Sequence, residues 1–152
     1  MSMARLTPAA FAILALFGTA CDERGEGGPL IDDPWVRATA LVPGAEAAPV
    51  NTAAYLTLRN PGEAGERLRG AATADASSVE VHRTSMEEGV MRMRAEGSID
   101  LEPRARVRLE PGGLHLMLLG LRRALVPGDT VTLVLRFQEA GELEVRAPVR
   151  AP

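Results

Sequence analysis

The chain has 152 residues, with 17 basic and 20 acidic side chains, a formal charge of −3, and one cysteine. That length supports one folded domain and leaves no room for a second sizeable core, and a single cysteine cannot form an intrachain disulfide. Every Lys/Arg position is an arginine, and these are scattered rather than clustered, so the basic footprint of a nucleic-acid binder is missing and no nucleic-acid partner is expected.

Residues 1–20 have signal-peptide anatomy: Arg5 near the start, an apolar stretch from about Ala9 to Leu16, then Gly18, Thr19 and Ala20 before Cys21. The apolar run falls far short of the roughly 20 residues that a spanning helix requires. Export to the periplasm or cell envelope follows. Cys21, after its small-residue triplet and before the polar, Gly-rich Asp22 to Pro29, resembles the lipidation site of a bacterial lipoprotein. Gly18 stands where that signal prefers Leu, and the alternative is ordinary cleavage that leaves a free thiol. Such a thiol is a reactive liability in an oxidising compartment, which favours a lipid on Cys21 as the chain's membrane anchor. Residues 21–30 then read as a flexible linker and 31–150 as the folded domain.

Within that domain, short apolar runs alternate with turn signals. Ala53 to Arg59 is a strand entering Asn60-Pro61-Gly62. Val79 to Thr84 and Val90 to Arg94 flank a short loop ending in Glu87-Glu88-Gly89 and predict a β-hairpin. Arg104 to Glu110 alternates until Pro111-Gly112-Gly113, Leu114 to Leu121 is a buried strand, and Val131 to Phe137 and Gly141 to Val149 follow after further turns. Ala38 to Pro49, rich in Ala, Pro and Gly, reads as a loop, and Trp35 and Tyr55 as core packers. Short strands at this spacing predict an all-β fold, an antiparallel β-sandwich.

Both histidines, and every methionine after the leader, fall in one window as His82, Met86, Met91, Met93, His115 and Met117. Imidazole and thioether form a soft, largely neutral donor set that suits Cu(I) better than zinc, calcium or magnesium. Structural zinc wants four Cys or His ligands, and a blue-copper centre wants a thiolate that only the remote Cys21 could give. A hairpin register placing Thr84 opposite Met91 would place His82 opposite Met93, and period-two alternation puts His115 and Met117 on one strand face. Singly, each residue is as well explained by a solvated histidine or a gap-filling methionine. Together they point to a metal site of His82, Met93, His115 and Met117. Met91 shares a face with Met93 and Met86 lies near the hairpin tip, so both are candidate auxiliary ligands. Protonated imidazole cannot ligate, so binding should weaken below about pH 6.5.

At these residues the chain resembles the PCuAC-type periplasmic copper chaperones. Their motif of His, ten residues, Met, twenty-one residues, His, one residue, Met is met at every interval by His82, Met93, His115 and Met117. The likeness extends to Trp35-Val36-Arg37, Ala54-Tyr55-Leu56-Thr57, Gly89-Val90-Met91-Arg92-Met93, Pro111-Gly112-Gly113-Leu114 and Gly128-Asp129. The resemblance implies a cupredoxin-like Greek-key β-sandwich that binds one Cu(I) and delivers it to the copper centres of a respiratory oxidase. An oxidase copper subunit or a Sco-type thiol protein is the implied acceptor. Some members carry a His- and Met-rich tail for Cu(II); this sequence ends at Ala151-Pro152, and no site of that kind is expected.

Without a nucleophile or general base outside the cluster, no enzyme is expected. The domain is expected to act as a monomer. The rival functions are copper sequestration through the same site and a metal-free envelope interaction module.

Overall fold

The computed structural model describes residues 27–39 and 50–151. The signal segment, Cys21, most of the linker and most of the Ala38 to Pro49 loop lie outside the described residues. Among those described, no helix is long and apolar enough to cross a membrane.

Ten strands account for nearly all regular structure among the described residues: β1 (Leu30–Arg37), β2 (Thr52–Arg59), β3 (Glu66–Ala72), β4 (Ala76–Glu87), β5 (Val90–Glu96), β6 (Ile99–Leu101), β7 (Arg106–Leu109), β8 (Leu114–Leu121), β9 (Thr130–Phe137) and β10 (Glu142–Arg150). Hydrogen bonding runs β4-β8-β2-β1-β10-β9-β3, and a β3–β4 pairing at Ala71 and Val79 closes the ring. The result is a cupredoxin-like seven-strand barrel, with β5 attached outside β4, β6 beside β3 and β7 beside β2. All pairings are antiparallel except β1 with β10.

Alternation decides which side chains fill the barrel. Val36, Ala54, Leu56, Leu58, Leu116, Leu118, Leu133, Leu135 and Val149 turn inward and form one continuous core. Their odd-even neighbours on β1, β2, β4 and β8 must therefore face outward. Trp35 and Tyr55 belong to that outer set, stacked on each other at 4.5 Å between ring centroids. Tyr55 is buried as the sequence predicts and Trp35 half-buried, but both pack on the outer wall of the barrel beside β8, because Val36 and Ala54 take the inward positions.

Each of the seven strands read from the sequence is present. The three not read are β1, β3 and β6. In β1 the register shifts between Asp32 and Trp35, with Asp33 at φ 45° ahead of Pro34. This bulge lets a turn-like Asp-Asp-Pro sit inside a strand.

Asn60 closes the end of β2 with its side chain. Its amide donates to the carbonyls of Ala64, Leu101 and Glu102 at 2.8 to 3.1 Å, and its Oδ1 accepts from the Gly62 N–H at 3.1 Å. The residue is 3% exposed, so truncation would strand carbonyls without a donor. Asn60→Ala should lower unfolding free energy by about 2 kcal/mol in a denaturant titration. Asn60→Asp should cost at least as much, because a carboxylate would face those carbonyl oxygens.

Candidate metal centre

Leu116 and Leu118 are fully buried in the core, so the same strand must turn His115 and Met117 to the outer face. On β4, the inward Val79 and Val81 likewise turn Glu80, His82 and Thr84 outward. The β4–β8 register then places His82 directly opposite His115 and Glu80 opposite Met117. The two imidazole centroids are 5.9 Å apart. Met117 also stands opposite Ala53 of β2, and Tyr55 lies 6.4 Å from the His115 ring.

The turn before β8 is built to hold His115. Pro111 and Gly112 occupy its centre, Gly112 has φ 82°, and the Gly113 N–H donates to the Glu110 carbonyl at 3.0 Å. This is a type II arrangement, which requires a residue free to adopt positive φ at that position. The Gly113 carbonyl is fixed by the Thr84 N–H at 3.0 Å and accepts from the His115 ring at Nδ1, 3.1 Å away. A carbonyl can only accept, so Nδ1 carries the proton and the lone pair of His115 is at Nε2.

His82 shows the complementary arrangement. Its Nε2 is 2.9 Å from the Glu80 carboxylate, which holds the proton there, and its Nδ1 is buried with no hydrogen-bond partner. A buried unpartnered nitrogen lone pair is costly unless something else satisfies it. Each imidazole is thus oriented by an acceptor on one nitrogen and left open on the other, the usual state of a metal-ligating histidine. The sequence reading missed both orienting groups. Glu80 was legible in principle, because it lies two residues before His82 and so shares its face; the Gly113 carbonyl was not.

The hairpin differs from the sequence expectation. Glu88 and Gly89 have φ 52° and 79° and form a two-residue loop, with Glu87 opposite Val90. Two left-handed residues suit the type I′ turn, whose twist matches the flanking strands, and pairing therefore continues to the tip. Thr84 is opposite Met93 rather than Met91, and His82 is opposite Ala95 rather than Met93. The shift is two residues, so the faces are unchanged. Met93 remains on the side of His82, one diagonal step away, and Met91 and Met86 pair directly farther out. At diagonal separations of roughly 7 Å a flexible thioether still reaches inward.

His82, His115, Met117 and Met93 therefore share one outer face across three neighbouring strands. Among the described residues no three His, Cys, Asp or Glu side chains gather into a metal site. Burial pushes the His115 pKa below the ordinary imidazole value of 6.5, against the raising effect of the Gly113 carbonyl and with help from the charges of His82 and Arg37.

That direction sets a pH dependence for the metal-free protein. Above the ordinary imidazole value, folded and unfolded chains are equally deprotonated at His115. As pH falls below it the unfolded chain gains a proton that the folded one refuses, so stability declines until pH passes the depressed folded value. Histidine ring NMR should show His115 mostly neutral at pH 6.5, and a His115 titrating at or above that value would contradict the burial argument.

The description "Putative lipoprotein LpqE-like" belongs to the family that matches residues 30–149. A putative lipoprotein, Lxx21020, from Leifsonia xyli subsp. xyli is 30% identical over 81% of this chain and 70% of its own length. Among solved structures, the copper-bound PCuAC domain from PmoF2 is similar at a TM-score of 0.66, with 30% identity over 83% of this chain and 96% of that one. The apo PCuAC domain from PmoF1 gives a TM-score of 0.67 at 26% identity, covering 84% of this chain and 98% of that one. The Cu(I) form of DR1885 from Deinococcus radiodurans gives 0.56 at 31% identity, covering 82% and 80% of the two chains.

Proposed function

The chain belongs to the LpqE-like putative lipoprotein family and has a PCuAC-type domain, and from this premise we propose that it is an envelope carrier of Cu(I), without catalytic activity. It holds one ion between His82, Met93, His115 and Met117 and hands it to the copper centre of a respiratory oxidase, either directly or through a Sco-type thiol protein. Lipidation of Cys21 would tether it to the membrane. The observation that carries this reading is the facing pair His82 and His115, each with one ring nitrogen engaged and the other open.

Copper is cargo in this account, and the chain's own groups set how it is held. Gly113 and Glu80 fix the imidazole tautomers, so the nitrogen donors are oriented before the ion arrives. Neutral sulfurs from Met93 and Met117 complete a set that favours Cu(I) over harder cations. Thioethers bind without proton release, and a thiolate-rich acceptor can displace them. The depressed pKa of His115 keeps that ligand deprotonated at lower pH than an ordinary histidine would allow.

Anaerobic titration of the intact protein with Cu(I), against a chromophoric chelator, should show one tight equivalent. His82→Ala, Met93→Ala, His115→Ala and Met117→Ala should each weaken it by at least about tenfold. Glu80→Ala should weaken it by about tenfold through loss of the His82 orientation, and Glu80→Gln by less, since its amide oxygen still accepts. A folded protein with no tight equivalent would remove the copper reading. Delivery is separated from sequestration by deleting the gene: oxidase activity should fall at limiting copper, whereas a loss of copper tolerance alone would favour sequestration.

A further inference from the structure

Three large apolar side chains stand exposed on one face of the β4–β5 hairpin: Met86 and Met91 at 66% and Met93 at 51%. Isolated exposed apolar residues need no explanation. These three are ordered by register. Met86 is directly opposite Met91, Thr84 is opposite Met93 two residues farther in, and His82 is opposite Ala95 two residues beyond that. Same-face rungs are spaced by roughly 7 Å, and directly opposed side chains stand about 5 Å apart at Cβ. Each thioether has enough rotatable bonds to converge on its neighbour.

The charged groups on the paired strands beside the hairpin tip lie on its other face. Glu87 binds Arg92 at 3.2 Å and Arg94 at 3.0 Å, and by alternation all three point away from Met86, Met91 and Met93. Sulfur is therefore the metal donor that the methionine face offers at the tip. We propose that Met86 and Met91 form a second, thioether-only site for a soft monovalent cation, Cu(I) or its analogue Ag(I). It captures the ion at the hairpin tip, and Met93, one rung inward, passes it toward His82 and His115. The relay rests on the function proposed above; the outer site does not. Two neutral sulfurs without an imidazole hold the ion more weakly than the inner set, so transfer runs inward.

The rival occupant of an exposed apolar face is a docking protein. Met→Leu substitution keeps volume and hydrophobicity and removes only the sulfur, so it tells the two apart. The test is a Cu(I) competition titration of the intact protein and of its Met86→Leu/Met91→Leu variant, with the rate of copper hand-over to a chromophoric chelator and circular dichroism on both. The wild type should bind a second equivalent, weaker than the first. The variant should keep the tight equivalent and an unchanged spectrum, lose the weaker one, and hand over copper about tenfold more slowly. A weaker equivalent that survives in the variant, or a wild type that binds the tight equivalent alone, would overturn the outer site. An unchanged hand-over rate despite its loss would overturn the relay. If the wild type binds only a weak equivalent, abolished in the variant, the outer site stands and the function proposed above falls.

Discussion

Between β4 and β8, one rung of backbone pairing sets His82 opposite His115 while Val81 and Leu116 turn into the barrel. Burial of the leucine and valine rows fixes the parity of both strands, and the parity leaves the histidines no other face. A slip of one residue would put Leu116 and Leu118 in water and the imidazoles in the core. The free energy that closes the barrel therefore also brings together the two imidazoles of the proposed site. The Pro111-Gly112-Gly113 turn, the Glu80 carboxylate and the Tyr55 ring then refine a geometry that the core has imposed.

The sulfur half of the proposed site is placed differently. Met117 shares a strand with His115 and lies between β4 and β2, whereas Met93 is on β5, which among the described residues pairs only with β4 and is exposed along nearly its whole length. Few buried contacts hold such a strand, and local opening costs less there than in the barrel wall. A rigid imidazole pair combined with a yielding thioether suits a carrier, which must bind firmly and still release. It suits permanent storage less, because storage gains nothing from placing a ligand on an exposed edge strand.

Much of this was legible in the sequence because it depends on alternation. Leu114 to Leu121 reads directly as a strand with His115 and Met117 on its polar side, and the motif intervals single out His82 and Met93. What escaped depends on backbone conformation. The Glu88-Gly89 turn required Glu88 to adopt a left-handed φ, which its side chain does not advertise, so the hairpin register was misread by two residues. The bulge at Asp33-Pro34 hid β1, and β3 is interrupted by a register shift between Leu68 and Gly70. Trp35 and Tyr55 were legible as packing residues, and Tyr55 is buried, but the side of the barrel wall on which they pack depends on the parity of Val36 and Ala54. The Gly113 carbonyl belongs to the backbone, which sequence patterns of side chains do not report.

The central claim is that one Cu(I) ion is held by two imidazole nitrogens and two thioether sulfurs on this outer face. Copper K-edge absorption of the intact protein loaded with one equivalent of Cu(I), in wild type and in Met93→Leu, tests it most directly. The account predicts mixed nitrogen and sulfur scattering in the wild type and loss of one sulfur scatterer in the variant. A first shell of nitrogen and oxygen alone, or one unchanged by Met93→Leu, would contradict it.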